Sequence, residues 1–92
     1  MRDRTFARSA ETLTRSVGGE VLVTAPGRDQ VDRLSPTAAA VWTLLEEPRT
    51  VSAVVGRLTE VFDAPAERIA GDVEALLADL VRRGWVLEVT HR

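Results

Sequence analysis

Ninety-two residues carry 12 basic and 14 acidic side chains, a formal net charge of −2, with 45% hydrophobic and 28% charged residues. That is the length of one domain and the balance of an ordinary globular chain, and it weighs against a sequence-wide basic field for nucleic acid or anionic lipid. The absence of cysteine and a single histidine, His91, exclude disulfides, thiolate or histidine metal clusters, iron–sulfur centres and a cysteine nucleophile, so neither metal nor cofactor is expected.

The chain opens Met1-Arg2-Asp3-Arg4 with no apolar stretch behind it, and no apolar run approaches the roughly 20 residues that cross a bilayer. The expectation is therefore no signal peptide, no membrane partner and a cytoplasmic location. Residues 1–34 hold six arginines against five acids, and residues 35–92 hold six against nine. Every basic residue is arginine, so each cationic contact is a planar guanidinium able to grip a carboxylate in bidentate fashion.

The first half reads as strands. Residues 11–17 are short and rich in β-branched residues, and Gly18-Gly19 supplies the two positive-φ positions of a hairpin turn. Residues 20–25 form the returning strand, and Pro26-Gly27-Arg28-Asp29 is the next turn. Gln30-Val31-Asp32-Arg33-Leu34 alternates, with Val31 and Arg33 on one face and Asp32 and Leu34 on the other. This predicts a three-stranded meander whose last strand lies at a sheet edge.

The second half reads as three helices. Ser35-Pro36 is a helix start, with a capping hydroxyl and a proline that forfeits no bond. Ala38, Val41, Trp42 and Leu45 share a face, and Pro48 ends the run. Thr50 caps a second helix with apolar positions Val51, Val54, Val55, Leu58, Val61 and Phe62. Pro65 opens the third, whose stripe is Ile69, Val73, Leu76, Leu77, Leu80 and Val81, with Arg82 and Arg83 in the last turn and Gly84 suited to a left-handed cap. Trp85-Val86-Leu87 is expected to fold back over the core. The fold class is α+β: a three-stranded antiparallel sheet followed by three helices, like a winged helix-turn-helix.

No cluster of residues demands a reaction. Gly18-Gly19 joins two strands and no phosphate-binding glycine motif occurs. The fourteen acids read as solvated helix faces, Ser35 as a cap without a nearby base, Trp42 and Trp85 as core, and His91 as a terminal residue. The helix-turn-helix class raises a DNA-binding regulator as the alternative reading. Its natural recognition helix sets Glu67, Asp72, Glu74 and Asp79 against Arg68, Arg82 and Arg83, a net of −1, which opposes counterion release.

Three strands, then LSPTAAAVWTLL at 34–45, PRTV at 48–51 and ERIAGDVEALLADLVRRGWV at 67–86 resemble the PqqD-like family, also called RiPP recognition elements. The resemblance covers about residues 11–87 of a single domain. It lies in Leu34, Ser35, the small residues Thr37 to Ala40 and Trp42, and in Asp72-Val73 followed by Leu76 and Leu77. A free domain of this length is similar to the stand-alone leader-binding proteins of lasso-peptide pathways, and the PQQ pathway uses similar domains. One departure is Asp32, where the third strand often carries an aromatic.

The resemblance implies a non-catalytic protein that binds a precursor leader peptide as an added strand on Gln30, Val31, Asp32, Arg33 and Leu34. Val31 and Leu34 would form the groove floor. Helical angles put Asp72, Leu76, Asp79 and Arg83 on one flank of the third helix, with Leu76 and Leu80 nearest the sheet. Leu76 and Leu80 would then be an apolar pocket or, since one stripe must serve both purposes, ordinary core, and Asp72 and Arg83 polar clamps on the rim. The implied partners are the leader itself, a leader peptidase and a cyclase, with no nucleic acid. The domain would act by raising the effective concentration of the precursor at those enzymes.

Overall fold

The protein is described from a computed structural model covering residues 3–90. His91 lies outside the described residues. The elements are β1 (Thr5–Arg8), β2 (Leu13–Val17), β3 (Glu20–Thr24), β4 (Asp32–Leu34), α1 (Pro36–Leu44), β5 (Arg49–Thr50), α2 (Val51–Val61), α3 (Ala66–Arg82) and β6 (Val86–Val89). The meander and the three helices of the sequence reading are present as β2–β3–β4 and α1–α3, in the α+β class.

Local chemistry explains where these elements begin and end. Gly18 (φ 57°) and Gly19 (φ 82°) form a two-residue turn of the primed type, whose twist matches the strands it joins. The Ser35 hydroxyl accepts from the Ala38 N–H at 3.2 Å, and the Thr50 hydroxyl accepts from the Ala53 N–H at 3.1 Å. Each satisfies one of the free donors of a first helical turn. At the end of α3, Gly84 takes φ 84°. There the Trp85 N–H donates to the Leu80 carbonyl and the Gly84 N–H to the Val81 carbonyl, both at 3.0 Å. That pair of bonds is a Schellman motif, and it throws Trp85 back onto the core.

A second sheet, order β5-β1-β6, was not legible in the sequence. β1 pairs antiparallel with β6 in the register Thr5↔Val89 to Arg8↔Val86, and with the two residues of β5. It ties the start of the chain to its end and brings Phe6 and Val86 into the core. Trp42 and Trp85 sit at the centre of that core, fully buried, with Val23, Val41, Val73 and Leu77. The Trp42 indole donates to the Thr14 hydroxyl at 2.8 Å, and Arg8 stacks over its ring at 4.5 Å. Thr14 thereby anchors β2, all five of whose residues are solvent-exposed, to α1.

Three positions in the predicted stripes, Val61, Phe62 and Val81, are exposed instead of buried in the core. Val61 is 77% exposed because α2 ends there, with only the turn into α3 beyond it. Val81 is 40% exposed beside β6, on the edge of the α3 stripe, while Ile69, Val73, Leu77 and Leu80 are buried.

Candidate functional site: a free sheet edge beside helix α3

β4 pairs with β3 on one side only among the described residues, in the register Val21↔Leu34, Leu22↔Arg33 and Val23↔Asp32. The hairpin decides which groups face outward. A two-residue turn is closed by a hydrogen-bonded pair, here Val17↔Glu20, and such pairs alternate along an antiparallel ladder. Leu22 therefore directs its backbone toward β2, while Val21 and Val23 direct theirs toward β4. It follows that Leu34 and Asp32 exchange bonds with β3, and that the N–H and C=O of Arg33 point to the open side. Val31, two residues earlier, has the same parity. The edge closes at Ser35, whose carbonyl is taken by the Ala39 N–H at 2.7 Å, and at Pro36, which has no donor.

The side chains alternate as the sequence reading expects. Arg33 points to the outer face and pairs with Glu20 at 2.7 Å. Asp32 and Leu34 point inward. Leu34 is 8% exposed. Val31, at 58% exposure, lies ahead of β4 and cannot share a floor with Leu34. The floor therefore belongs to Leu34, because residues of opposite parity face opposite sides.

Asp32 is the junction between this edge and α3. Its carboxylate accepts from the Trp85 indole N–H and from the Gln30 amide at 3.1 and 3.2 Å, and lies 3.6 Å from the Arg83 guanidinium. Burial raises its pKa, but the hydrogen bonds from Trp85 and Gln30 and the Arg83 charge outweigh burial and hold it below the usual carboxylate value. Arg28 completes the clasp. Its guanidinium lies 3.9 Å from the Trp85 ring centroid and donates to the Arg83 carbonyl at 2.9 Å. Arg28 and Trp85 were not singled out as site residues in the sequence. The signal available was a tryptophan placed directly after the capping Gly84.

The flank of α3 nearest this edge is defined by the same contacts. Arg83 also pairs with Asp79 at 3.0 Å, and Asp79 with Arg82 at 2.6 Å. Arg83 is thus held against Asp32 and Asp79, as part of the clasp. Leu76, one turn before Asp79, is half-buried on the rim of the core. Leu80 is not a pocket residue: at 2% exposure it belongs to the core and offers no surface to a guest, because it lies on the face of α3 that Ile69, Val73 and Leu77 bury. Asp72 is exposed at the far end of the flank, lining a cavity of about 310 Å³ with Thr37 of α1 and Phe62. The edge and Leu76 are therefore close to the clasp, and Asp72 stands apart from it beside the start of α1.

A three-stranded meander with an unpaired β4 edge among the described residues, packed on three helices around two buried tryptophans, is a winged helix-turn-helix-like domain. The family model described as "Coenzyme PQQ synthesis protein D (PqqD)" matches residues 20–86, and the chain belongs to that family. No curated protein sequence matches it. Three solved structures share the fold. One is TbiB1 in complex with the TbiA(beta) leader peptide (TM-score 0.81, 15% identity, 92% of this chain and 99% of that one). A second is lasso peptide synthetase B1 complexed with the leader peptide (0.76, 22%, 89% and 96%). The third is the PqqD truncation of Methylobacterium extorquens PqqCD, a RiPP recognition element (0.75, 24%, 90% and 88%).

Proposed function

We propose that this protein binds the leader segment of a ribosomally made precursor peptide by adding it as a strand to β4, and presents the precursor to a leader peptidase and later maturation enzymes, without itself catalysing a reaction. The observation that carries the reading is the free edge of β4, with the Arg33 N–H and C=O directed outward beside α3. Membership of the PqqD family supports it, as do the two similar structures solved in complex with a leader peptide. A disordered guest gains backbone bonds at Arg33 and Val31 irrespective of its sequence. Its alternate side chains meet Leu34 and Leu76 on the inner side. The other free edge, β2, has all five of its residues exposed and presents no buried apolar residue to a guest.

The DNA-reading alternative is not favoured. The arginines at the end of α3 are committed to Asp79 and Asp32, and a helix of net −1 gains nothing from phosphate.

Isothermal titration with a synthetic precursor leader peptide tests the proposal. Arg33→Pro removes the outward donor and places a ring in the path of an incoming strand, and should weaken binding at least about tenfold. Arg33→Ala keeps the backbone and should bind like the parent. Equal binding by parent and Arg33→Pro would exclude strand addition at β4. Asp32→Pro is unsuitable, because the Asp32 N–H serves the β3 ladder and its loss would damage the fold.

A further inference from the structure

The face of α3 turned away from β4 carries a groove that the leader-binding reading does not use. It runs between α2 and α3 and ends against the β1–β6 pair. Its wide part, about 600 Å³, has a floor of Val51, Val55, Gly56, Ala66 and Ala70. Small side chains on both helices make this depression. Its narrow end, about 220 Å³, is floored by Phe6, Leu77 and Val81. Val51, Arg4 and Glu74 line both parts, so the two are continuous.

The charge of the walls is one-sided. Asp3, Glu74 and Glu88 face a single cation, Arg4. Arg4 is already neutralised: it lies 5.1 Å over the Phe6 ring and makes two bonds to Glu88, at 3.2 and 2.8 Å. Asp3 accepts from the Ser52 N–H at 3.2 Å at the start of α2. Glu74 is exposed and has no ion-pair partner among the described residues. An apolar trough with an unpaired carboxylate at the mouth of a side-chain-sized cavity fits a long cationic side chain, its stem over Leu77 and Val81 and its head at Glu74.

We propose that this groove docks an amphipathic helix of a partner protein, with its apolar stripe on Val51, Val55 and Ala70 and an arginine or lysine paired with Glu74 at the mouth of the narrow end. Charge complementarity selects that occupant over an acidic or purely apolar one. Because the groove and the β4 edge lie on opposite flanks of α3, guest and partner can be held together. The proposal goes beyond the leader-binding reading and does not depend on it.

The test is an NMR titration of the full 92-residue chain. The probe is an end-blocked helical peptide with a leucine stripe flanked by arginines, and its control is the same peptide with glutamates for arginines. Docking predicts that the arginine peptide shifts the amides of Val51, Val55, Ala70 and Glu74, and that its affinity falls roughly tenfold between low and high salt. Glu74→Arg should weaken it by about tenfold at low salt with an unchanged melting temperature, and Glu74→Gln by less. Arg33→Pro, which blocks the sheet edge, should leave the titration unchanged, so that failure here and failure of the leader-binding reading are separable. Equal binding of the glutamate peptide, shifts confined to β4, an unaffected Glu74→Arg variant, or absence of shifts at millimolar peptide would each overturn the proposal. Self-association of the free chain through the same amides would also overturn it, since the occupant would then be a second copy.

Discussion

The two small sheets use the same number of strands for different ends. In β2–β3–β4 the strands follow one another along the chain, joined by a two-residue turn and a short loop. In β5-β1-β6 they come from residues 5–8, 49–50 and 86–89. The second sheet works as a fastener: it closes the chain ends and buries Phe6 and Val86. The first is attached to the core mainly along its inner face and leaves both outer strands with bare backbone. An unpaired edge and the closure that stabilises the fold can thus be built from separate strands, one leaving its backbone groups open among the described residues while the other holds the chain ends.

The comparison is broken most severely at the residue serving both regions. Trp85 starts the return into β6 and also holds Asp32 of β4. Trp85→Ala should cost about 3–5 kcal/mol, since it empties a fully buried site. Thermal or urea unfolding would show it, and a loss near 1 kcal/mol would mean that the clasp is peripheral. Asp32→Ala should cost less, about 1–3 kcal/mol, because it strands a buried indole N–H without its acceptor.

Asp32 also gives a pH signature. Its folded pKa lies below the unfolded value of about 3.9. The contribution is therefore fully present above the unfolded pKa and is lost as pH falls through the folded one. Parent and Asp32→Asn stabilities, compared by urea unfolding from neutral pH to the acid limit, should differ most near neutrality and converge in acid. A constant gap would mean that the carboxylate charge is unimportant. The smallest effect is expected in the fastening sheet. Arg4→Ala loses an exposed pair with Glu88, and its effect on melting temperature should be slight and vanish at high salt.

Much of the architecture was readable in the sequence because its causes are local. Gly18-Gly19 specifies a turn, Ser35 and Thr50 specify caps, Gly84 specifies a reversal, and the spacing of Ile69, Val73, Leu77 and Leu80 specifies a buried stripe. The candidate site was only half readable. The alternation of Asp32, Arg33 and Leu34 follows from the strand period. That Arg33 rather than Asp32 faces the open side needed the register across β3, and that Asp32 is spent on Trp85, Gln30 and Arg83 needed the end of α3 to arrive beside it.

The meander, the three helices, the Ser35 and Thr50 caps and the two buried tryptophans could all be read from the amino-acid pattern, since each depends on neighbours within a few residues. Three features needed the assembled fold: the pairing of β1 with β6, the burial of Leu80 while Leu76 stays at the rim, and the holding of Asp32 by Trp85, Gln30 and Arg83. Strand pairing between chain ends is made by backbone groups that every residue carries, and the burial of one leucine in a stripe depends on what is packed against it. Neither is written in local side-chain pattern.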